Sequence, residues 1–279
     1  MAPHRWLYFT ALIFLVSFQL PVNNASTGED VYDPCSVSNE VFSHGEKIVY
    51  KIYYNWNFVW IAAGEVVFEV KDKGNQYHIS AVGRTLRSYD WIFKVRDYYD
   101  SFIEKETMRP KRTIRKVLEG KYTLYDDVKY RHETSVAISK KGKTVQTVEE
   151  AEVPIVDCTH DILSSFYAMR NIDFAAGPVD TEVPMNIYLD RKIYSLNIVY
   201  KGIHEDKRIR GLGHANTMLF EPELVVGNVF KENEGMRIWV SNDQNRIPLM
   251  VESPISVGSV KAVLKRHSGL RHPSELKGR

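Results

Sequence analysis

From residue 40 onward the chain is dominated by short runs in which apolar and polar residues alternate with period two. No other feature limits the fold as much, because that period matches a strand with one buried face. Residues 47–54 are crowded with β-branched and aromatic side chains. A second run, 65–70, follows Gly64, and a third, 76–82, follows a Lys73-Gly74-Asn75 turn. Together they read as a meander. Further strands are predicted over 97–104, 111–119, 121–133, 134–139 and 144–149. The C-terminal half adds 182–189, 192–202, 206–211, 215–223, 235–241, 248–252 and 257–265. Asp190-Arg191 reads as a two-residue hairpin turn.

Two stretches break the pattern. Residues 88–94 are expected as a short helix carrying Trp91 and Phe93. Residues 159–171 are expected as the main helix, with Thr159 as N-cap, Asp161 in the first turn, and Ile162, Leu163, Phe166 and Met169 as one apolar stripe. So many antiparallel strands must hide their edges. The predicted fold is therefore mainly β, a curled antiparallel sheet or half-open β-barrel with one or two short helices. No linker divides the chain, and one domain is expected over 43–268, followed by a loose polar tail at 269–279.

The N-terminus reads as an address. Arg5 precedes an apolar stretch over 6–18, which at about 13 residues is short for a membrane span and suits a secretory signal. Cleavage is expected near Ala25, leaving 26–42 as an N-terminal segment. The two cysteines, Cys35 and Cys158, fit an oxidising compartment and are expected to form one disulfide that tethers this segment. The expected location is periplasmic or secreted.

Composition excludes some functions. The 37 basic and 35 acidic residues leave a net charge of +2, without the basic excess that marks nucleic-acid binding. Gly258-Ser259 is followed by Val260-Lys261, so the Gly-x-Ser-x-Gly elbow of α/β-hydrolases is absent, as is His-Glu-x-x-His. The nine histidines are not spaced for a metal, and no metal or other cofactor is called for. Cys158 and His160 stand too close in sequence for a nucleophile–base pair. Glu65, Glu69, Asp97, Asp100, Asp157, Asp161 and Glu221 supply carboxylates for a glycosidase reading, although charged residues alternating on strands usually form the solvent face.

Several segments resemble a known family in order and spacing. They are Gly45-Glu46-Lys47-Ile48-Val49-Tyr50, Ile61-Ala62-Ala63-Gly64-Glu65, Trp91-Ile92-Phe93-Lys94-Val95-Arg96-Asp97, Asp161-Ile162-Leu163-Ser164-Ser165-Phe166-Tyr167, Ile238-Trp239-Val240-Ser241-Asn242-Asp243, Arg246-Ile247-Pro248 and Gly258-Ser259-Val260-Lys261-Ala262. Over about residues 43–266 the chain is similar to the domain of unknown function family numbered 3108, common in bacterial envelope proteins. The resemblance implies a secreted or periplasmic β-rich protein and leaves the activity open. Proteins of this outline are similar to half-open barrels that carry lipids or lipoproteins, an analogy of fold alone.

The aromatic residues point further. Sixteen Tyr, twelve Phe and five Trp are many for one domain. Tyr54, Trp56, Phe58 and Trp60 would share one face of a regular strand, and Trp91 and Phe93 form a second cluster. Such a face is either barrel core or the wall of an apolar ligand cavity. Arg84, Arg87, Arg96, Arg237 and Arg246 are candidate contacts for an anionic head group. The expected function is binding of an apolar or amphiphilic ligand (lipid, glycolipid or lipoprotein) or of an envelope protein partner, with peripheral membrane contact allowed. The alternatives are a glycan-active hydrolase and a non-catalytic scaffold docking to an outer-membrane complex.

Overall fold

The computed structural model describes residues 32–56, 59–174, 177–223, 235–254, 258–274 and 276. The predicted signal segment 1–25 lies outside the described residues. The N-terminal half forms β1 (Lys47–Trp56), β2 (Val59–Lys73), β3 (Gln76–Thr85), β4 (Arg96–Glu104), β5 (Pro110–Glu119), β6 (Tyr122–Arg131), β7 (Val136–Gly142) and β8 (Glu149–Pro154). A two-residue strand β9 (Thr159–His160) and helix α1 (Ile162–Asn171) follow. Then come β10 (Glu182–Leu189), β11 (Lys192–Ile209), β12 (Gly213–Pro222), β13 (Arg237–Ser241), β14 (Pro248–Pro254) and β15 (Ser259–Ser268).

All fifteen strands belong to one sheet. The first meander runs from β8 back to β1, β1 pairs antiparallel with β15, and the second meander runs from β15 back to β10. β9 lies parallel to β10 at the far edge. The two halves of the sequence thus meet in the middle of the sheet. Among the described residues, no helix is long and apolar enough to cross a membrane.

The sheet rolls until its ends overlap. Cross-strand partners share a face, so the register Val70–Ile79–Ser101–Thr113–Val128 traces the inner face from β2 to β6. On β10, Ile187 and Leu189 face the interior, so Tyr188 faces outward. Tyr188 is nevertheless buried against Val128, Tyr130 and Ala137, its ring edge-on to Tyr130 at 5.5 Å. The outer face of β10 therefore packs on the inner face of β6 and β7. Side chains, not backbone pairing, cover both terminal regions of the sheet.

Charges fix this overlap. Asp190 and Arg191, both with positive φ, make the two-residue turn between β10 and β11. Arg115 donates to Asp190 at 2.5 Å and to Asp126 at 3.1 Å, and Lys141 reaches Asp190 at 2.7 Å. Burial opposes ionisation of Asp190, but the Arg115 and Lys141 charges prevail and hold its carboxyl below the usual range.

Several boundaries differ from the sequence expectation for identifiable reasons. Residues 192–202 and 206–211 form one strand, β11, because Gly202, at φ 96°, permits a bulge rather than a turn. The bent outer half of β11 and β12 folds over the outer face. There Ile209 is buried, and Lys207 and Arg210 lie over the rings of Trp239 and Tyr53 at 4.0 and 4.7 Å. The expected helix over 88–94 is only a single 3-10 turn at Arg87–Tyr89. The strands near 134–149 shift to β7 and β8. Residues 269–274 and 276, expected as a loose tail, dock on the N-terminal segment: Arg271 donates to the Asn39 carbonyl at 2.8 Å, and Leu270 and Leu276 pack on the core.

The main helix starts later than expected. Thr159 and His160 are taken by pairing with Asn186 and Ile187 of β10. Asp161 is the N-cap: its Oδ1 accepts from Leu163 and Ser164 N–H, and Ser164 Oγ accepts from Asp161 N–H, a closed capping box. Asp161 Oδ2 also accepts from Ser101 of β4 at 2.6 Å. Burial raises the Asp161 carboxyl despite these bonds.

The Cys35–Cys158 disulfide is present, with Cα atoms 5.4 Å apart. Beside it His160 is fully buried, with Nδ1 3.2 Å from Ser164 Oγ. Burial, seconded by the charges of Arg109 and His132, pulls the imidazole down to about 4. The folded protein therefore excludes a proton that the unfolded chain accepts below pH ~6.5. This contribution is intact above that pH, and roughly 3 kcal/mol of it is lost as pH falls to about 4. Urea unfolding of wild type and His160→Gln across pH 7 to 4 checks this. The variant is expected to lose that part of the slope, and an unchanged slope would refute the assignment.

Candidate functional site: an apolar cavity inside the rolled sheet

The interior is divided by α1. On one side, toward β4–β7, the inner face is polar and closely packed, with Ser101, Thr113, Arg115, Asp126 and Ser139 all buried. On the other side lies a cavity of about 300 Å³. That volume is at the lower end of the range for small-molecule sites.

Period two explains the lining. β1 contributes Tyr50 and Ile52, and β2 contributes Val66 and Phe68. β11 turns Tyr194, Leu196 and Ile198 inward, while Ser195 and Asn197 between them point away. Phe220 of β12, Ile238 and Val240 of β13, and Val260 and Ala262 of β15 complete the wall. The helix stripe Ile162, Phe166 and Met169 forms the floor. Phe166 is anchored by stacking on Phe68 at 5.4 Å.

Few polar groups reach this space. Ser165 and Ser253 are near it, and Arg170 is fully engaged with Glu46. Arg246 donates to the Arg170 carbonyl at 3.3 Å and pairs with Asp173 at 3.2 Å. Glu223 is the one carboxylate among the described lining residues, and it is exposed. The cavity thus reaches solvent where β12 ends, beside Pro222 and Met236. So apolar a lining offers water few hydrogen-bond partners, which favours entry of an apolar chain.

The residues singled out from sequence lie elsewhere. The run 53–60 is not one strand but a hairpin, β1 and β2 joined by residues 57 and 58. Trp60 pairs with Asn55, and Tyr54 pairs with Ile61. Trp60 and Tyr54 consequently sit on opposite faces, which corrects the expectation of a single aromatic face. Tyr54 is buried with Ala63 and Val260, next to the cavity wall. Trp60 lies on the outer face under Lys261 Nζ, 4.3 Å from its centroid. Phe58 and the side chain of Trp56 lie outside the described residues. Trp91 is exposed, and Phe93 packs beside Gly120. Neither covers the cavity.

The carboxylates considered for hydrolysis are dispersed. Glu65 pairs with Arg84 and Lys265, Glu69 with Lys47, Asp100 with His78, and the exposed Asp157 with Arg109. Asp97 accepts from the Leu118 N–H, and Asp161 caps α1. Among the described residues, no two of them line the cavity.

One solved structure shares the architecture. A β-barrel-like protein of domain of unknown function DUF1849 from Brucella abortus superposes with TM-score 0.54 at 11% identity, covering 82% of this chain and 98% of that one. A hypothetical protein from Chlamydia trachomatis (TM-score 0.36, 8% identity, 85% and 92% covered) is also similar. So is an exported-type protein with a YmcC-like fold from Bacteroides fragilis (TM-score 0.31, 9% identity, 82% and 99% covered). No curated protein matches. The model of one family spans residues 49–265, from β1 to β15. The chain belongs to that family, the proteins of unknown function DUF3108.

Proposed function

We propose that this chain is an exported carrier or receptor that shelters the apolar part of an amphiphilic ligand in the cavity between α1 and β10–β15. The observation that carries the reading is the lining itself: an enclosed wall of aliphatic and aromatic side chains with one end open to solvent. Each methylene moved from water into such a site contributes about 0.8 kcal/mol. A chain of about ten carbons would gain roughly 8 kcal/mol, an upper bound equivalent to a micromolar Kd. The disulfide favours an oxidising compartment, and residues 6–18 are the proposed export signal.

Uptake of a fluorescent fatty-acid analogue by the purified chain tests this. Wild type is expected to bind it in the micromolar range. Leu196→Trp and Ile198→Trp, which fill the cavity, are expected to weaken binding about tenfold or more with little change in Tm, since the added volume enters empty space. Absence of uptake by wild type, or unaltered uptake by both variants, would overturn the proposal.

A further inference from the structure

The rolled sheet has two rims, and most of its exposed large apolar side chains, Val156, Val179 and Ile203 excepted, gather at one of them. This is the rim with the β1–β2, β3–β4 and β5–β6 connections, where the cavity also reaches solvent. Trp91 is 83% exposed, Val59 60%, Ile92 52% and Tyr122 49%, with Leu86 beside them. An indole so exposed, next to an exposed Ile, is costly to present to water unless something covers it.

The connection that carries Trp91 is built to hold it out. Arg96 and the Thr85 hydroxyl bind Asp90, Trp91 Nε1 donates to the Ser88 carbonyl at 2.9 Å, and Phe93 N–H donates to Tyr89 at 3.0 Å. Leu86 N–H is tied to Ala63 on one side and Gly120 N–H to Lys94 on the other. Phe93 packs down beside Gly120, so Trp91 and Ile92 are left at the surface.

The charge around them is basic. Arg87, Lys94, Lys121 and Lys143 are exposed at this rim; the Lys94 charge also acts on Asp90, whose oxygens Arg96 already holds. A groove of about 370 Å³, lined by Arg84, Arg87, Arg96, Thr85, Leu86 and Glu65, opens at the same place. Glu65 is engaged by Arg84 and Lys265, and Asp90 by Arg96. Tryptophan with an aliphatic neighbour, ringed by Arg and Lys, matches the interface of a bilayer carrying anionic lipids: the apolar groups enter the headgroup boundary and the cations meet phosphates.

We infer that this rim docks reversibly on an anionic lipid surface through Trp91 and Ile92, with Arg87, Lys94 and Lys121 contacting headgroup phosphates. Docking goes beyond the cavity reading and stands whether or not the cavity is loaded. It would bring the cavity opening to the membrane.

Co-sedimentation of the full chain with vesicles of phosphatidylethanolamine and phosphatidylglycerol, against vesicles of phosphatidylcholine alone, tests it. Wild type is expected to bind the anionic vesicles and to be released by salt. Each basic side chain near an anionic surface strengthens binding about fivefold, so Arg87→Gln/Lys94→Gln/Lys121→Gln together should weaken it about a hundredfold. Trp91→Asp/Ile92→Asp should weaken it about tenfold or more with Tm unchanged, because both side chains are exposed. No binding by wild type, equal binding to phosphatidylcholine, or binding untouched by Trp91→Asp/Ile92→Asp would overturn the inference. Fatty-acid uptake measured without vesicles separates the two readings: loss of vesicle binding in the Trp91 variant with uptake intact supports docking. A wild type that binds anionic vesicles yet takes up no probe refutes the carrier and leaves docking standing.

Discussion

Arg170→Met is expected to lower the stability of the fold by about 3–5 kcal/mol, the cost of stranding a buried charge. Arg170 lies in the last turn of α1 and is buried. Its guanidinium donates to both oxygens of Glu46 at 2.7 and 2.9 Å, and to the Asn245 carbonyl at 2.9 and 3.2 Å. The rings of Phe42 and Tyr167 flank it at 5.9 and 5.0 Å. Glu46 immediately precedes β1, the middle of the sheet, so this one contact fastens the helix across the interior. Burial also raises the hydroxyls of Tyr50 and Tyr167, which keeps both neutral around the pair. Without the guanidinium, the Glu46 carboxylate has no cation in an apolar enclosure. The double variant Glu46→Leu/Arg170→Met removes both charges and is expected to recover most of the loss, leaving chiefly the Asn245 carbonyl unsatisfied. Urea unfolding of the two variants measures this. A single substitution costing under ~1 kcal/mol, or a double variant no better than the single, would show that the pair does not anchor α1.

The strands were legible because each buries one face, and period two survives in the sequence wherever that is so. β11 shows it most plainly: Tyr194, Leu196 and Ile198 face inward while Ser195 and Asn197 bond outward. That same alternation could have located the cavity wall. The denser aromatic run 53–60 is the more conspicuous signal, but the chain reverses between β1 and β2 within it, with no Gly or Pro to mark the reversal. The antiparallel pairing of β1 with β2, closing at Trp56 and Val59, reverses which face each later ring takes. The Thr159 cap was misplaced for a related reason. Thr159 and Asp161 are both good caps locally, and only the pairing of β9 with β10, which depends on the whole roll, decides between them. The overlap of the sheet ends was not legible at all. It depends on Tyr188, whose outward position reads as solvent-facing until β6 and β7, which precede it in the chain by several strands and the helix, pack against it. The cation-ringed rim was present as scattered arginines and lysines, and only topology collects them.

Breaking the Cys35–Cys158 bond is expected to cost about 4–5 kcal/mol and lower Tm by roughly 10–20 °C. The cysteines are 123 residues apart in sequence, and closing so long a loop removes a large share of the unfolded chain's freedom. The bond does more than shorten the unfolded chain. It holds residues 32–42 along the helix side of the roll. There Tyr32 stacks on Phe174 at 5.1 Å, Asn171 Oδ1 accepts from Glu40 N–H, and Phe42 meets Tyr167 edge-on at 4.7 Å. Phe42 is also part of the main core, so releasing the segment loosens the packing that positions α1 beneath the cavity. Cys35→Ser/Cys158→Ser and reduced wild type should therefore melt at the same lowered temperature. In both, amide exchange should quicken first in α1, with β1 and β2 protected for longer. Fatty-acid uptake should weaken in parallel, because Ile162, Phe166 and Met169 form the cavity floor. If thiol titration confirms full reduction while Tm and α1 exchange stay at their oxidised values, the segment is held by its noncovalent contacts alone and the tether contributes nothing to the site.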